Sequence, residues 1–499
     1  MSTKGQGKPH HFKVRQVFTF ITGMLECLFF AGIIFGWASL VFLLKSRGFF
    51  GSFCVNTTNS DGARVQDCRG QDEQFSLVFT IASFMNNFLT FLNGVIFDRF
   101  GTLVALLCSC ICDFGEGCLK CETHPIEFLL LKVANLFGAH RSTIITIYNG
   151  AFDSSSGVFV LVKLAYESGI PLKASFLFLA TGSIYHILRT IFLFPRTSIP
   201  YPPPDHYKYG PITSIAMEEK PHDVEEPERP GVCNYELLKQ RLQRNHVFIY
   251  QMPCFPSEKT FRECVLSKFF FFVVLWLSVI QLRHYLFIGT LNPMLERLAD
   301  GDASVVSQYI NAFAFTQMCG LLVAPMNGFI LDRHKRKPPV AGITPGIEPA
   351  DLNSAVLSFF LTSLVSLIFS ICASIPVLPL QYFTFIALMV NYSFVYGGMA
   401  AFVAMTFPPC HFGKLYGFIF GLSAVFSLLQ YACFAVVEEL LDGDPLYVSM
   451  NIGLTILILF SFSHPLNVFL HCRALASQRA KANKITDMTT ESQLLKEPL

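Results

Sequence analysis

Long apolar stretches separated by short polar segments form the dominant pattern along this chain. A helix that crosses a bilayer needs about 20 mostly apolar residues, and stretches of that length recur from residue 17 to residue 470. Two further apolar pieces, at 103–112 and 128–137, reach only roughly half that length. The pattern predicts an all-α polytopic membrane protein with ten clear spans: 17–44, 75–97, 143–166, 174–194, 268–291, 305–330, 354–376, 380–406, 415–437 and 447–470.

Two polar segments divide the chain. The segment 195–266 is rich in Pro and charged residues, a composition that cannot bury enough apolar surface to order itself. A tail that is basic near the membrane follows the last span. We therefore predict five regions: a cytoplasmic N-tail 1–16, an N-terminal transmembrane half 17–194, a largely disordered cytoplasmic linker 195–266, a C-terminal transmembrane half 267–470 and a cytoplasmic C-tail 471–499.

Composition supports a membrane protein and excludes several enzyme classes. Hydrophobic residues make up 52% of the chain and charged residues 14%, whereas a soluble globular protein carries roughly 25% charged residues. The sequence contains no phosphate-binding Gly loop, no Walker Lys and no nucleophile elbow. Cys118-x-x-Cys121-x-x-His124 lacks the fourth ligand that structural zinc requires. We expect no enzymatic activity, no cofactor and no metal.

Charge bias predicts the orientation in the membrane. Lys and Arg are concentrated before the first span and at 333–337, whereas 438–444 carries four acidic residues and no basic one. The positive-inside rule then places both termini and the linker in the cytosol, and the loop 45–74 outside. That loop contains the sequon Asn56-Thr57-Thr58 and the cysteines Cys54 and Cys68. An oxidising, extracytosolic side favours a glycan on Asn56 and a disulfide between the two cysteines.

A repeated motif relates the two halves. The sequence Asn-Gly-x-x-x-Asp-Arg occurs at 93–99 in the first half and again at 327–333 in the second. A second pair of segments, 140–150 and 411–421, also matches between the halves. The motif resembles the loop signature of the major facilitator superfamily, which has two parallel six-helix halves around a central site. This resemblance implies twelve nominal helices, with the third and fourth truncated here, and a gating role for Gly94, Asp98, Arg99, Gly328, Asp332 and Arg333.

Longer stretches point to one family. "LECLFFAGIIFGWASLVF" (25–42), "FTIASFMNNFLTF" (79–91), "NLFGAHRSTIITIYNGAFDSSS" (135–156), "WLSVIQLRHYLFIGTLN" (276–292) and "YINAFAFTQ" (309–317) resemble the nucleobase-transporting branch of solute carrier family 43. The resemblance implies sodium-independent, facilitative movement of purine bases across the plasma membrane. The chain departs from the family in the segment 104–134, which is short, and at Arg283, where the family pattern leads us to expect an aromatic residue.

Polar side chains within the spans are the candidates for substrate binding, because such groups are costly in a bilayer. Amides can pair with a base edge, a carboxylate can accept its N–H groups, and aromatic rings such as Phe30, Tyr285 and Phe315 can stack on its face. The same polar groups can instead join helices. The candidates are Glu26, Asn149, Asp153, Gln281, His284, Asn311, Gln317 and Tyr396.

Three functions remain open at this point. The first is facilitative, sodium-independent transport of adenine, guanine and hypoxanthine by alternating access, with the bilayer as surroundings and no nucleic-acid partner. The second is uniport of large neutral amino acids, which the sister members of the family carry out. The third is an inactive membrane isoform, which the short segment 104–134 makes plausible.

Overall fold

The computed structural model describes residues 10–58, 64–100, 133–193, 259–333, 349–440 and 448–494. The N-terminal part begins with α1, which continues through a π-helical turn and a 3-10 turn into α2. The predicted truncation of the third and fourth helices lies at 101–132, outside the described residues. The α-helices of this part are α1 (His10–Glu26), α2 (Trp37–Ser46), α3 (Arg69–Phe100), α4 (Arg141–Ser154), α5 (Val158–Glu167) and α6 (Leu172–Leu193).

The C-terminal part begins with a short helix. Its N-terminus is capped by a capping box that Thr260 and Glu263 form. Most of the predicted linker, 195–258, lies outside the described residues. The helices are α7 (Phe261–Val265), α8 (Lys268–Leu298), α9 (Ala303–Met318), α10 (Gly320–Asp332), α11 (Pro349–Ala373), α12 (Leu380–Thr406), α13 (Phe412–Ser427), α14 (Leu429–Leu440), α15 (Val448–Leu459) and α16 (Ser463–Leu494).

The chain is an all-α polytopic membrane protein. Seven helical stretches among the described residues are long and apolar enough to cross a bilayer, and a bent pair at the N-terminal end makes an eighth. The eight are Gln16–Ala31 with Ile33–Ser46, Arg69–Arg99, Lys268–Leu298, Ala303–Asp332, Leu352–Ala373, Leu380–Thr406, Pro409–Val436 and Met450–Gln478.

Two of the ten predicted spans fall short of that test although they are helical. The stretch predicted at 143–166 consists of α4 and α5, which a 3-10 turn at Ser155–Gly157 separates. The stretch predicted at 174–194 is α6, whose apolar part is Leu172–Gly182. Lys163 and Arg189, one in each of these stretches, are buried by packing against other helices. These helices therefore depend on the rest of the bundle to bury their polar groups.

The first span is broken at Gly32, where its two parts meet at an angle of 46°. The break lies against the 3-10 turn that separates α4 from α5, and the Ser155 hydroxyl accepts a hydrogen bond from the Gly32 amide at 2.6 Å. A side chain at Gly32 would collide with the carbonyl of Phe152. The serine thus satisfies a backbone donor that the break releases, as buried backbone in a membrane requires.

The loop between the first two spans is a small hairpin. The strands β1 (Val55–Thr58) and β2 (Arg64–Asp67) are antiparallel, with Asn56 opposite Gln66. Cys54 and Cys68 flank the strands and are joined in a disulfide. Arg69 donates hydrogen bonds to the Asp67 carboxylate, which lower the pKa of that carboxyl. We refer to this end of the bundle as the disulfide end, and to the end with the repeated motif as the motif end.

Asn56 lies on the exposed surface of this hairpin. We expect an N-linked glycan there, so glycosidase treatment of cell membranes should increase the gel mobility of the wild-type chain but not that of Asn56→Gln. Gln66→Ala, on the opposite strand, is the matched control and should keep the shift. Cytosolic labelling of a cysteine placed at Asn56 would contradict both the glycan and the predicted orientation.

Candidate functional site

A small cavity lies between the two halves. About 230 Å³ of space between atoms lies within it, part of it open to the surroundings. Three of the residues that line it come from the N-terminal half and four from the C-terminal half. They are Phe35, Asp153, Ser156, Ile288, Phe313, Gln317 and Tyr392.

Helix breaks bring the polar groups to this cavity. Asp153 lies in the last turn of α4, and Ser156 lies in the 3-10 turn that follows. Phe35 is in the 3-10 turn of the broken first span. Gln317 lies in the last turn of α9, just before the interruption at Cys319, and its amide donates to the Phe385 carbonyl at 3.4 Å. Each group is thus positioned by backbone that departs from a straight helix.

Aromatic rings form one wall of the cavity. The ring centroids of Phe35 and Tyr392 are 5.8 Å apart. The Tyr392 ring also contacts His284 at 4.5 Å and stacks on Tyr396 at 5.7 Å. Tyr396 and His284 therefore support the wall through Tyr392, and neither is among the residues that line the cavity. A flat ring that enters here has aromatic faces within reach.

A buried hydrogen-bond network joins the halves next to this wall. The Tyr285 hydroxyl accepts from the Asn87 amide at 2.7 Å and from the Gln281 amide at 2.6 Å. The Gln281 amide also lies 3.3 Å from the Asn87 side-chain oxygen. Asn87 is on α3, whereas Gln281 and Tyr285 are on α8, so the network crosses between the halves.

The two motif carboxylates hold the halves together at the motif end. Asp98 accepts from the backbone amides of Gly413 and Lys414, at 3.2 and 2.7 Å, at the start of α13. Asp332 accepts from the backbone amide and the hydroxyl of Thr143, at 2.7 and 2.8 Å, at the start of α4. A carboxylate at a helix N-terminus meets free amides and the positive end of the helix dipole.

These two contacts are equivalent under the internal repeat. Asp98 and Asp332 occupy the same position of the motif in the two halves, and Thr143 and Lys414 occupy the same position of the second matching pair of segments. Each motif therefore caps the equivalent helix of the opposite half. Arg99 and Arg333, the residues that follow the two carboxylates, are exposed. A glycine at 413 allows the close approach, because a side chain there would lie 2.8 Å from the Gly94 carbonyl.

Charged contacts also join the halves at the disulfide end. Lys45, at the end of α2, lies 2.6 Å from the Asp72 carboxylate of its own half and 2.9 Å from the Glu296 carboxylate of the other half. Deeper in the bundle, the Lys163 ammonium donates to Ser307 at 2.6 Å and to Asn311 at 2.7 Å. Contacts between the halves thus lie on both sides of the cavity.

Comparison with known proteins assigns the family. The chain is 45% identical over 504 residues to "Equilibrative nucleobase transporter 1" of Bos taurus, an alignment that covers 96% of this chain and all of that protein. The chain belongs to solute carrier family 43. It is also 28% identical over 543 residues to "Large neutral amino acids transporter small subunit 3" of Homo sapiens, covering 93% of this chain and 94% of that protein. No family model matches the chain.

The structure distributes the predicted site residues of this family 43 chain over several places. Asp153 and Gln317 line the cavity. His284 and Tyr396 lie behind its aromatic wall, and Gln281 belongs to the network with Asn87. The amide of Asn149 donates within its own helix, to Ile145. Asn311 accepts from Lys163 towards the disulfide end.

Glu26, a substrate-binding candidate, pairs with a basic residue of its own half. It forms a buried ion pair with Arg189 of α6. Arg189 also donates to the Thr22 hydroxyl at 3.1 Å and the Thr19 carbonyl at 3.2 Å. The pair lies within the N-terminal half, and Glu26 is not among the residues that line the cavity.

The ion pair makes Glu26 a stability residue in our expectation. Removing one partner of a buried pair costs about 3–5 kcal/mol because the other charge stays buried. Glu26→Gln and Arg189→Gln should each lower the melting temperature and the surface level. The double variant Glu26→Gln/Arg189→Gln should recover most of both, measured by thermal melting and surface biotinylation. A Glu26→Gln protein with wild-type stability but no uptake would make Glu26 a substrate contact after all.

Sequence reasoning chose some aromatic residues on the wrong face. Phe315 was a stacking candidate, but it is exposed on the outside of the bundle, whereas Phe313 lines the cavity. Phe313 lies four residues before Gln317 and so shares its helix face. Tyr392 is related to Tyr396 in the same way. The spacing from a polar candidate was therefore the signal that could have identified both rings.

Proposed function

We propose that this chain is a facilitative, sodium-independent transporter of purine nucleobases, with adenine, guanine and hypoxanthine as substrates. The membership in family 43 and the relative named as a nucleobase transporter support this proposal. We further propose that the chain acts in the plasma membrane as a carrier without an enzymatic step. The predicted regions and the cytosolic placement of the termini and linker are part of the same proposal.

The chemistry of the cavity lining is the observation that carries the substrate proposal. The lining offers one carboxylate, one amide and one aliphatic hydroxyl beside aromatic rings, and none of the described residues that line it is Lys, Arg or His. A neutral purine presents N–H groups that a carboxylate can accept, ring nitrogens that an amide can donate to, and a flat face for Phe35 and Tyr392.

Amino-acid transport is the second candidate, because a more distant relative is named for large neutral amino acids. The carboxylate of a free amino acid needs a cationic or strongly donating partner. Arg283 is buried on α8, the helix that supplies Ile288 to the cavity, but its guanidinium donates to the hydroxyl and carbonyl of Ser370, at 3.1 and 3.3 Å. It is thus engaged with α11. This arrangement favours the neutral base.

Alternating access would use the contacts on the two sides of the cavity. In this proposal the capping contacts of Asp98 and Asp332 close the motif end while the disulfide end opens. The Lys45–Glu296 pair closes the disulfide end in the opposite state. Each set joins the two halves, so each must break before substrate passes on its side.

Radiolabelled uptake in cells that lack endogenous nucleobase carriers tests the proposal. We expect adenine, guanine and hypoxanthine uptake that saturates, equilibrates without concentration and is unchanged when choline replaces sodium. Adenosine and leucine should not enter. Leucine uptake without adenine uptake would assign the chain to the amino-acid branch. A parallel chain whose segment 104–134 is extended to two full spans tests the inactive-isoform alternative, and uptake by that chain alone would support it.

A further inference from the structure

One face of α8 leads from the cavity towards the motif end. Gln281, Tyr285 and Ile288 occupy positions i, i+4 and i+7 and therefore lie on one stripe. Ile288 lines the cavity, whereas Gln281 and Tyr285 belong to the buried network with Asn87. Gln281 lies seven residues before Ile288, which corresponds to about 10 Å along the helix at about 1.5 Å per residue. The network therefore lies between the cavity and the motif end.

The network is not fully satisfied. The Tyr285 hydroxyl accepts two hydrogen bonds and lies next to the buried Tyr396 hydroxyl. The Tyr396 hydroxyl has no partner at full hydrogen-bond geometry among the described residues, so this pair of hydroxyls leaves a proton for a ligand. The side-chain oxygen of Gln281 is fully buried and has no donor in that part of the chain. Leaving buried polar atoms without partners is costly. A site that holds one spare donor and one spare acceptor side by side is therefore prepared for a ligand with the complementary pair.

We propose that Tyr285, Gln281 and Asn87 form a second, inner binding station for the substrate, which the substrate occupies after the cavity. This proposal rests on the proposed function. A purine edge carries adjacent donors and acceptors, and a side-chain amide can pair with such an edge in a bidentate manner. The spare Gln281 oxygen accepts a base N–H, and the Tyr285 hydroxyl donates to a ring nitrogen or exocyclic oxygen. The inner station thus reads the edge of the base, which differs between adenine and hypoxanthine.

Phe35 separates the two stations. Its ring lines the cavity on one side and stacks on Tyr285 on the other, with centroids 5.9 Å apart and an angle of 27° between the planes. Because Asn87 and Gln281 belong to different halves, their contacts must rearrange when the halves separate at the motif end. Asn87 then releases the Tyr285 hydroxyl and the Gln281 amide, whereas the bond between Gln281 and Tyr285 lies within α8 and stays. A base that has passed Phe35 replaces those bonds.

The experiment compares substrate preference in three variants. Gln281→Met removes the spare acceptor at similar volume, and Tyr285→Phe removes the spare donor but keeps the ring. Gln430→Met is the matched control, because the buried Gln430 amide also bonds α3 from the other half, through Ser83 at 3.0 Å, but away from this stripe. The measured quantity is the ratio of the Vmax/KM values for adenine and hypoxanthine in proteoliposomes. Transport of both bases by the wild-type chain tests the proposed function separately from the inner station.

We expect the adenine-to-hypoxanthine ratio to change at least fivefold in Gln281→Met and Tyr285→Phe and to stay at the wild-type value in Gln430→Met. Lower rates with an unchanged ratio in all three would mean that the network only joins the halves, and would overturn the inner station. If Tyr285→Phe transports nothing, adenine binding to the purified variant decides. Binding at wild-type affinity places the defect after capture and supports the proposal, whereas lost binding at wild-type thermal stability overturns it.

Discussion

Asp153→Asn should reduce adenine uptake by about 100-fold at an unchanged surface level. Hydrogen bonds to a charged group contribute up to about 3 kcal/mol when the group is buried, and about 1.4 kcal/mol corresponds to a factor of ten. Asp153 supplies the carboxylate of the cavity, and its side chain is 6% exposed. An amide of the same shape keeps the volume but places an N–H group where the base also presents N–H groups.

Ser156→Ala is the control for this prediction. Ser156 lines the same cavity and is also buried, but it is neutral, so its loss should change uptake by less than about tenfold. Saturation curves for adenine in matched vesicles separate the two variants. Equal effects of Asp153→Asn and Ser156→Ala would show that the carboxylate does not contact the substrate. Wild-type uptake by Asp153→Asn would remove the cavity chemistry as an argument for nucleobases.

Asp98→Asn and Asp332→Asn should each cut uptake by about tenfold, and the double variant by more. A carboxylate at a helix N-terminus contributes up to about 2 kcal/mol in a partly buried setting, and these two carboxylates supply the capping bonds between the halves at the motif end. Loss of the charge should favour the state that is open at that end. A cysteine at Thr146, which lies between Gly328 and Gly397, should then react faster with a maleimide.

The control for the motif variants is Asp67→Asn. That carboxylate also forms an ion pair and accepts a backbone amide, but both partners belong to Arg69 in the hairpin of the disulfide end. It should alter neither uptake nor the reactivity of the cysteine at Thr146. Faster labelling with unchanged uptake in Asp332→Asn would mean that closure of the motif end does not limit transport.

The repeat made the motif end readable from the sequence. Two copies of one motif at the ends of matching spans implied that Asp98 and Asp332 have equivalent partners, and a carboxylate at a membrane edge has few options besides a helix N-terminus or a basic group. The structure gives each of them a helix start in the opposite half. Symmetry therefore supplied the long-range information that local patterns lack.

The partner of Glu26 had no such signal. Nothing in the local sequence distinguishes Arg189 from Arg283, and the choice depends on which helices pack together. The cavity residue Phe35 was missed for a related reason. The π-helical and 3-10 turns at 27–36 change the helical phase, so the faces counted from Glu26 do not continue beyond Gly32. Helix breaks and the pairing of distant helices therefore could not be predicted from the local sequence.

The predicted spans were also shorter than the helices where polar residues with high helix propensity extend the ends. The second span begins at Arg69 rather than near 75, and α8 continues past 291 to Leu298. The last helix runs to Leu494, through most of the predicted tail 471–499, because Ala, Gln, Lys and Arg there are strong helix formers. Hydropathy reports the part of a helix that lies in lipid, and these helices extend beyond it.

The bend in the first span has a mechanical consequence. The segment before Gly32 is bound to its own half through Glu26 and Arg189, whereas the segment after it is bound to the opposite half through Lys45 and Glu296. A straight helix would transmit any displacement along its whole length. The break at Gly32 instead acts as a hinge: the segment after it can tilt while the segment before it stays in place. Phe35, three residues past that joint, lies close to the pivot, so a tilt of the outer segment would turn its ring while its backbone moves little.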